Sequence, residues 1–307
     1  MTRSVFIDGA VGTTGLEIAE RLAGRSEFAL ITLPEARRKD DAARAEALNA
    51  AEFVILCLPD DAARAAVAMI ANDTTRVIDA STAHRITPGW TYGFPEVAGR
   101  EAVAGAMRVA NPGCYPTGFI ALIAPLVRAG LLPGDWPYTC NAVSGYSGGG
   151  KALIERFEAE PDIAFRTYGL DLGHKHVPEM QALCGLALAP LFAPSVIPAH
   201  RGMVVDVPLP LGAMPGAGSP AALRAALREF YADAALVTVH DDVPAELLLR
   251  QSAAPWDGLA LHVFGARDGS QARLVAVLDN LGKGASGAAV QSLNLMAGLD
   301  ETAGLRV

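Results

Sequence analysis

Short apolar runs alternate with helical patterns through the first third of the chain. Consecutive apolar positions predict buried strands over 4–8, 28–33, 52–58 and 76–81. Helices are predicted between them, over 40–50, over 60–71 and in a first segment whose apolar face consists of Leu16, Ala19, Leu22 and Ala23. Alternating strands and helices are typical of βαβ units, so this part of the chain predicts a parallel sheet of Rossmann type.

The pattern changes after about residue 112. A long apolar helix is predicted over 117–130, followed by extended runs at 138–145, 201–211, 259–266 and 273–280, of which 201–211 contains prolines. A final helix is predicted over 284–299, with apolar positions at Ala288, Val290, Leu293 and Leu295. The uncharged run 182–200 contains three prolines that would break a spanning helix, so we expect strand and loop there. These features predict an α+β second domain whose sheet is largely antiparallel.

Composition narrows the class of protein. The 307 residues are 51% hydrophobic and carry a formal charge of −8 without a block of Lys or Arg. This balance argues against a nucleic-acid or membrane partner and favours a small-molecule substrate. The N-terminal residues run directly into the first strand, which predicts a cytoplasmic protein. Four scattered cysteines predict free thiols, and no cysteine or histidine cluster suggests a metal site.

A glycine-rich loop follows the first predicted strand. The segment DGAVGTTG places Gly9, Gly12 and Gly15 between a strand and a helix, where backbone N–H groups can bind a pyrophosphate. A plain turn between strand and helix is the alternative. Arg37 and Arg38, just past the second strand, would suit the 2′-phosphate of NADP, although they could equally be a solvated helix start.

A second glycine-rich segment, GYSGGGKA at 145–152, matches the phosphate-binding GxxxxGK pattern. Ala152 stands where that motif needs Ser or Thr for magnesium, so we favour a loop that approaches substrate or cofactor.

The segment NPGCYPTG places Cys114 near a predicted helix start at about Pro116. A helix N-terminus lowers the pKa of a thiol from about 8.5 and so produces a nucleophile. Cys57 and Cys184 fit buried, inert positions better, and Cys140 stays undecided. A nucleophilic thiol beside a nicotinamide domain indicates acyl transfer to sulfur combined with hydride transfer.

The segment GHKHVPEM supplies two histidines, His174 and His176. In an extended segment both rings would lie on one face, with Lys175 opposite. Histidine has a pKa suited to proton transfer, which contributes about 10² to 10⁴ in rate.

Six motifs occur in order along nearly the whole chain: GAVGTTG, NPGCYPTG, SGYSGGGK, GHKHVPE, HRGM and DNLGKGASGAAVQ. In this order the set resembles the short-form N-acetyl-gamma-glutamyl-phosphate reductases, within the glyceraldehyde-3-phosphate and aspartate-semialdehyde dehydrogenase-like group. The resemblance implies a Rossmann domain over 1–112 with the segment 283–307 returning to it, and a catalytic and oligomerisation domain over 113–282. It further implies an NADPH-dependent reduction of N-acetyl-γ-glutamyl phosphate in arginine biosynthesis, by a homo-oligomer that is a dimer or a tetramer.

The resemblance also implies roles for individual residues. Cys114 would form a thioester, a histidine would transfer the proton with His176 favoured over His174, and Glu179 would orient the pair. Substrate contacts fall on Arg85, Arg201, Asn111, Ser144 and Lys151. Cofactor contacts fall on Gly9, Val11, Gly12, Thr13, Thr14, Gly15, Arg37, Arg38, Ser81, Gly145, Asn280, Gly282 and Lys283. Many longer members have arginine where this chain has Lys175.

Two other functions stay open. An aspartate-semialdehyde dehydrogenase would share the cysteine, the cofactor and the acyl-phosphate chemistry, but its basic motif differs from HKHVPE. A non-catalytic nucleotide-sensing relative would be expected to lose Cys114 or both histidines, and this chain keeps them.

Overall fold

The computed structural model describes residues 2–307, and the first of its two units extends to Pro112 and includes Ala285–Leu305. Along the chain this unit begins with β1 (Arg3–Asp8), α1 (Thr13–Leu22), β2 (Phe28–Ile31), α2 (Asp41–Ala50), β3 (Phe53–Leu56), α3 (Asp60–Ala68), β4 (Arg76–Asp79), β5 (Thr91–Tyr92), α4 (Pro95–Ala98), α5 (Arg100–Gly105) and β6 (Arg108–Ala110).

All six strands of this unit pair in parallel, in the order β2-β1-β3-β4-β6-β5, which confirms the predicted sheet. Successive side chains of a strand point to opposite faces. Val5 and Ile7 accordingly join one apolar cluster and Phe6 joins another. Strand β1 lies between β2 and β3, so the order in which strands are added to the sheet reverses at β1. Doubly wound sheets bind ligands at such a switch point.

The predicted apolar face of the first helix is wrong in part. Leu16 is 57% exposed and Ala23 is also exposed, whereas Ile18 and Leu22 are buried. The reason is the close approach of Gly15 to the glycine loop, which turns the stripe formed by Gly15, Ile18 and Leu22 toward the sheet.

The second unit comprises Gly113–Gly284 with Arg306–Val307. Its elements are α6 (Cys114–Arg128), β7 (Thr139–Gly145), α7 (Gly150–Ala159), β8 (Arg166–Thr167), α8 (Val177–Cys184), β9 (Leu191–Ile197), β10 (Met203–Leu209), α9 (Pro220–Phe230), β11 (Val237–Val239), β12 (Leu259–Gly265) and β13 (Ala272–Leu278). The strand order is β11-β12-β13-β10-β7-β9-β8, and four of the six pairings are antiparallel. The predicted α+β domain with a mainly antiparallel sheet is confirmed.

Helix α6 packs closely on one face of this second sheet. A Cβ atom on Gly118 would lie 2.7 Å from Val205, so glycine allows the close approach. Helix α9 was not predicted, although Ser219 caps its first turn and Leu223 and Leu227 are fully buried at helical spacing.

The final helix follows a π-helix at Gly282–Ser286. Helix α10 (Gly287–Met296) lies within the range predicted for it, and Ala289, Val290 and Leu293 enter the core of the first unit. Of the four predicted apolar positions, Leu295 is partly buried and the other three are buried. Among residues 2–307 no helix has both the length and the apolar character needed to cross a membrane.

Candidate active site

The glycine loop between β1 and α1 is shaped to bind an anion. Gly9 has φ +90° and a Cβ there would lie 2.3 Å from the carbonyl oxygen of Cys57, so only glycine fits. Gly12 caps α1 without a side-chain hydrogen bond, and the first turn contains no acidic residue. The first N–H groups of a helix lack intrahelical partners and carry the positive end of its dipole. This end of α1, with the exposed Val11 beside it, therefore fits a pyrophosphate.

Arg37 and Arg38 lie just past the end of β2, where a short 3₁₀ turn covers Glu35–Arg37. The Arg37 guanidinium lies 4.0 Å from Glu46, and that of Arg38 lies 3.9 Å from Glu35. Such exposed pairs contribute little stability, so a phosphate could displace either carboxylate.

Ser81, Arg85 and Asn111 lie close to the carboxyl ends of β4 and β6. The Nε of Arg85 donates to the backbone oxygen of Asn111 at 3.0 Å, and the Asn111 side-chain amide donates to the backbone oxygen of Ala285 at 2.9 Å. Ser81 donates to Asp79 at 2.7 Å. These three predicted residues therefore lie at the carboxyl edge of the parallel sheet, which is the edge where sheets of this type bind ligands.

Cys114 is the first residue of α6, two positions earlier than predicted. From Asn111 to Leu126 every residue except Cys114 is buried. Gly113 caps the helix without a side chain, and the first turn contains no acid, so the positive end of the helix dipole favours negative charge on the Cys114 sulfur.

The other three cysteines lie in surroundings that suppress ionisation. Burial, with smaller effects from Asp79 and Asp8, raises the pKa of the Cys57 thiol to about 12. Burial likewise raises the pKa of Cys140 and Cys184. These thiols are poor nucleophiles at neutral pH.

The extended geometry predicted for the histidine segment is wrong. His176 has φ −85° and ψ −15° and caps α8, because Pro178 in the first turn favours a helix start directly after it. The two rings still lie together, with centroids 4.8 Å apart, while Lys175 is exposed. The backbone N–H of His176 donates to Nδ1 of His174 at 3.1 Å. A neutral His174 ring in this arrangement carries its proton on Nε2.

Aromatic side chains surround the histidine pair, and sequence reasoning missed them. The ring of Tyr115, the residue after the cysteine, lies 6.3 Å from His174 and 6.0 Å from His176, measured between centroids. The Tyr168 hydroxyl donates to that of Tyr115, which donates to a backbone oxygen of β9. Burial raises the pKa of both tyrosines, to about 12 for Tyr168, so both hydroxyls keep their protons. No sequence motif indicated this arrangement, because the aromatic residues come from different segments.

Glu179 connects α8 to the start of α6. Its carboxylate accepts a hydrogen bond from the backbone N–H of Gly113 at 3.2 Å. This contact joins the segment that carries the histidines to the one that carries Cys114. Glu179 therefore fixes the start of α8, which follows the histidines, relative to the start of α6, which carries Cys114.

Asn280 joins two loops that the motifs had singled out. Its Oδ1 accepts from the N–H of Gly202 at 2.8 Å, and its Nδ2 donates to Ser147 at 2.9 Å. Gly145 donates its N–H to the oxygen of Gly202 at 2.8 Å, and the buried Ser144 precedes it. The segments SGYSGGGK, HRGM and DNLGKG therefore meet in the second unit.

The segment after β13 reaches Cys114. A Cβ atom on Gly284 would lie 2.9 Å from that of Cys114, and one on Gly282 would overlap the backbone oxygen of Trp256. Lys283 between them is 1% exposed. These close contacts explain why glycine stands at positions 282 and 284 in the segment DNLGKG.

Two predicted substrate contacts have partners within the protein. Arg201 pairs with the buried Asp279 at 2.8 Å. Lys151 lies in the first turn of α7 with its side chain 84% exposed, 3.7 Å from Glu155. Sequence reasoning did not identify Asp279, although it directly precedes Asn280.

Two family models match the chain. One, described as the NAD-binding domain of semialdehyde dehydrogenase, matches residues 4–106. The other, the semialdehyde dehydrogenase dimerisation domain, matches residues 114–280.

Relatives of high identity cover nearly the full length. The chain is 52% identical over 305 residues to N-acetyl-gamma-glutamyl-phosphate reductase 2 of Pseudomonas putida, covering 97% of each protein. It is 52% identical over 309 residues to the N-acetyl-gamma-glutamyl-phosphate reductase of Brucella ovis, covering 97% of this chain and 100% of that one.

Solved structures share the fold at low identity. Aspartate semialdehyde dehydrogenase II from Vibrio cholerae superposes with a TM-score of 0.71 at 19% identity, covering 96% of this chain and 98% of that one. Aspartate semialdehyde dehydrogenase with NADP from Candida albicans gives a TM-score of 0.64 at 15% identity, with the same coverage.

Proposed function

The chain belongs to the semialdehyde dehydrogenase family, among the N-acetyl-gamma-glutamyl-phosphate reductases, and on that premise we propose the reaction that it catalyses. It reduces N-acetyl-γ-glutamyl phosphate to N-acetylglutamate 5-semialdehyde with NADPH and releases phosphate, as a step of arginine biosynthesis. The observation that carries this function is Cys114, the one accessible position of a buried helix start, next to Tyr115, whose ring contacts both histidines.

Cys114 acts as the nucleophile. Its thiolate attacks the acyl carbon, the bond between that carbon and the phosphate oxygen breaks, and a thioester forms. The thiohemiacetal anion produced by reduction collapses to the aldehyde and expels the sulfur. We assign to His176 the proton that the departing sulfur takes up, because His176 is buried against Tyr115 at the start of α8. His174 lies beside His176 and helps to orient it, because its Nδ1 atom accepts a hydrogen bond from the His176 backbone N–H.

The first unit holds the cofactor in this proposal. When bound, NADPH supplies the hydride that reduces the thioester. The N–H groups at the start of α1, in the segment Gly9–Gly15, bind the pyrophosphate. Arg37 and Arg38 bind the 2′-phosphate, and Ser81 lies at the same edge of the sheet. From the second unit we assign Gly145, Asn280, Gly282 and Lys283 to cofactor contacts.

Arg85 and Arg201 are the cationic residues assigned to the substrate. We assign the phosphoryl group to Arg85, since a guanidinium fixed by carbonyl bonds presents its remaining donors in a set direction. Arg201, oriented by Asp279, is assigned to the carboxylate of the substrate. Asn111 and Ser144 are buried polar groups assigned to the same substrate.

We propose that the oligomer forms through the second sheet. Its face opposite α6 carries a row of valines, Val143, Val204 and Val277, that are neighbours across β7, β10 and β13. These positions are only partly buried in the single chain. An apolar row on a sheet face is suited to an isologous contact between two copies. The four free thiols fit a reducing compartment, and we place the reaction in the cytoplasm.

The function is tested in the reverse direction. Purified protein is given NADP with N-acetylglutamate semialdehyde or with aspartate semialdehyde, each with and without phosphate, and NADPH absorbance is followed. Phosphate-dependent NADPH formation with the acetylated substrate alone is the expected result. NADPH formation only with aspartate semialdehyde would mean that the chain uses the substrate named for its structural neighbours. No NADPH formation with either substrate would contradict a catalytic function.

A further inference from the structure

A cluster of buried polar side chains lies at the end of β4. Asp79, the last residue of that strand, is 0% exposed. Its Oδ2 accepts from Ser81 at 2.7 Å and lies 2.6 Å from Nδ1 of His84, which is itself 8% exposed. The His84 ring stacks on Trp90, with centroids 4.1 Å apart and planes 10° from parallel.

The two contacts of His84 constrain its ring in different ways. A carboxylate removed from water needs hydrogen-bond donors, and the bond from His84 supplies one in a defined direction. The stack on Trp90 fixes the plane of the ring. Together they attach the turn that carries His84 to the end of β4, and the backbone bond from Thr87 N–H to the His84 oxygen at 3.1 Å closes that turn.

Arg85 is the next residue in this turn. Its Nε donates to the backbone oxygen of Asn111 at 3.0 Å, and its Nη2 donates to that of Ala80 at 3.4 Å. The guanidinium therefore spans the ends of β4 and β6. Its position depends on where the turn places its Cα atom, and His84, the preceding residue, attaches that turn to Asp79 and Trp90.

We propose that His84 is a positioning residue for the reaction: its bond to Asp79 and its stack on Trp90 set the position from which Arg85 binds the phosphoryl group. The inference rests on the proposed function, in which Arg85 has that role. Misplacing a substrate-binding group by about 1 Å costs up to about 100-fold in rate. The effect belongs to phosphate binding, because Arg85 touches the phosphate and His84 does not.

The first test measures steady-state kinetics in the reverse direction with inorganic phosphate as the varied substrate. His84→Phe keeps a ring for the stack on Trp90 but removes the bond to Asp79. We expect the KM for phosphate to rise by about 10- to 100-fold while kcat and the KM for NADP change little. His84→Asn, whose amide nitrogen can take the place of Nδ1 but which has no ring for the stack on Trp90, should recover part of the loss. His240→Phe, in the second unit, is the matched control and should leave all three constants unchanged.

The second test is a double-mutant cycle with Arg85→Ala. If His84 acts through Arg85, His84→Phe has no further effect on kcat/KM for phosphate once Arg85 is alanine. If the losses in kcat/KM for phosphate of the two single variants multiply in the double variant, the inference is overturned while the function stands. The same holds if His84→Phe changes only the KM for NADP. A wild-type protein without phosphate-dependent NADPH formation would overturn the function and the inference with it. If His84→Phe does not fold, Trp90→Leu, which removes the stack alone, goes through the same cycle with the same two outcomes.

Discussion

At the scale of single residues, the surroundings of the thiol separate one cysteine from the other three. Cys114 and Cys57 are both partly exposed, but Cys114 lies at a helix N-terminus, whereas desolvation raises the pKa of Cys57, Cys140 and Cys184. We expect iodoacetamide at neutral pH to label Cys114 alone, as read by peptide mass spectrometry, and labelling to abolish turnover.

The matched variant is Cys114→Ser, which should bind NADP, take up no label and lose nearly all activity, since a hydroxyl is a far poorer nucleophile. Wild-type turnover of this variant, or equal labelling of Cys57, would remove Cys114 from the mechanism.

The two histidines differ in their hydrogen bonds. Nδ1 of His174 accepts from the His176 backbone, while the His176 ring is buried beside Tyr115. We expect His176→Asn to lower kcat by about 10² to 10⁴ and His174→Asn to lower it less. The kcat of each variant and its dependence on pH give the comparison, and the reverse order would assign the proton transfer to His174.

At the scale of elements, the start of α6 is held from two sides. Glu179 of α8 accepts a hydrogen bond from the N–H of Gly113, and Gly284 of the π-helix packs closely against Cys114. These contacts orient the thiol more tightly than the helix alone would. They also leave no room for a larger residue at position 284.

Gly284→Ala tests this packing. The added methyl would lie 2.9 Å from the Cys114 Cβ atom, so the cysteine must shift. We expect kcat to fall by about 100-fold with the fold retained, as shown by circular dichroism. Gly105→Ala is the control, because nothing lies within 4 Å of its added methyl. Equal activity of the two variants would mean that the site tolerates the shift.

At the scale of the whole molecule, the valine row on the face of the second sheet opposite α6 is only partly buried in the single chain. The register brings Val204 next to both Val143 and Val277. In an isologous contact each substitution occurs twice, so an introduced charge meets its own copy.

We expect the wild-type protein to be at least a dimer, and Val204→Asp to dissociate it, in size-exclusion chromatography with light scattering. Val243→Asp, at a residue that is 63% exposed in a different segment, should keep the wild-type mass. An unchanged mass for Val204→Asp would place the contact between copies elsewhere.

The sequence by itself determined the features that depend on local pattern. Alternating apolar runs required a parallel sheet in the first unit, and a second, mainly antiparallel sheet followed from the extended runs after it. The Gly9–Gly15 loop and the thiol at the start of α6 were evident, because turn glycines and helix starts are encoded by adjacent residues. The buried face of α1 was assigned wrongly in part, because the spacing of apolar residues does not show the close approach of Gly15 to Gly9, which turns Ile18 and Leu22 toward the sheet.

Only the tertiary structure decided the contacts between distant segments. The histidine segment is a turn because α8 starts directly after it, and the partners of its rings, Tyr115 and Phe192, come from α6 and β9. Asp279 holds Arg201, and His84 depends on Asp79 and Trp90. The physical reason is that burial, hydrogen bonding and ring stacking depend on distance in space, which the spacing of residues along the chain does not fix.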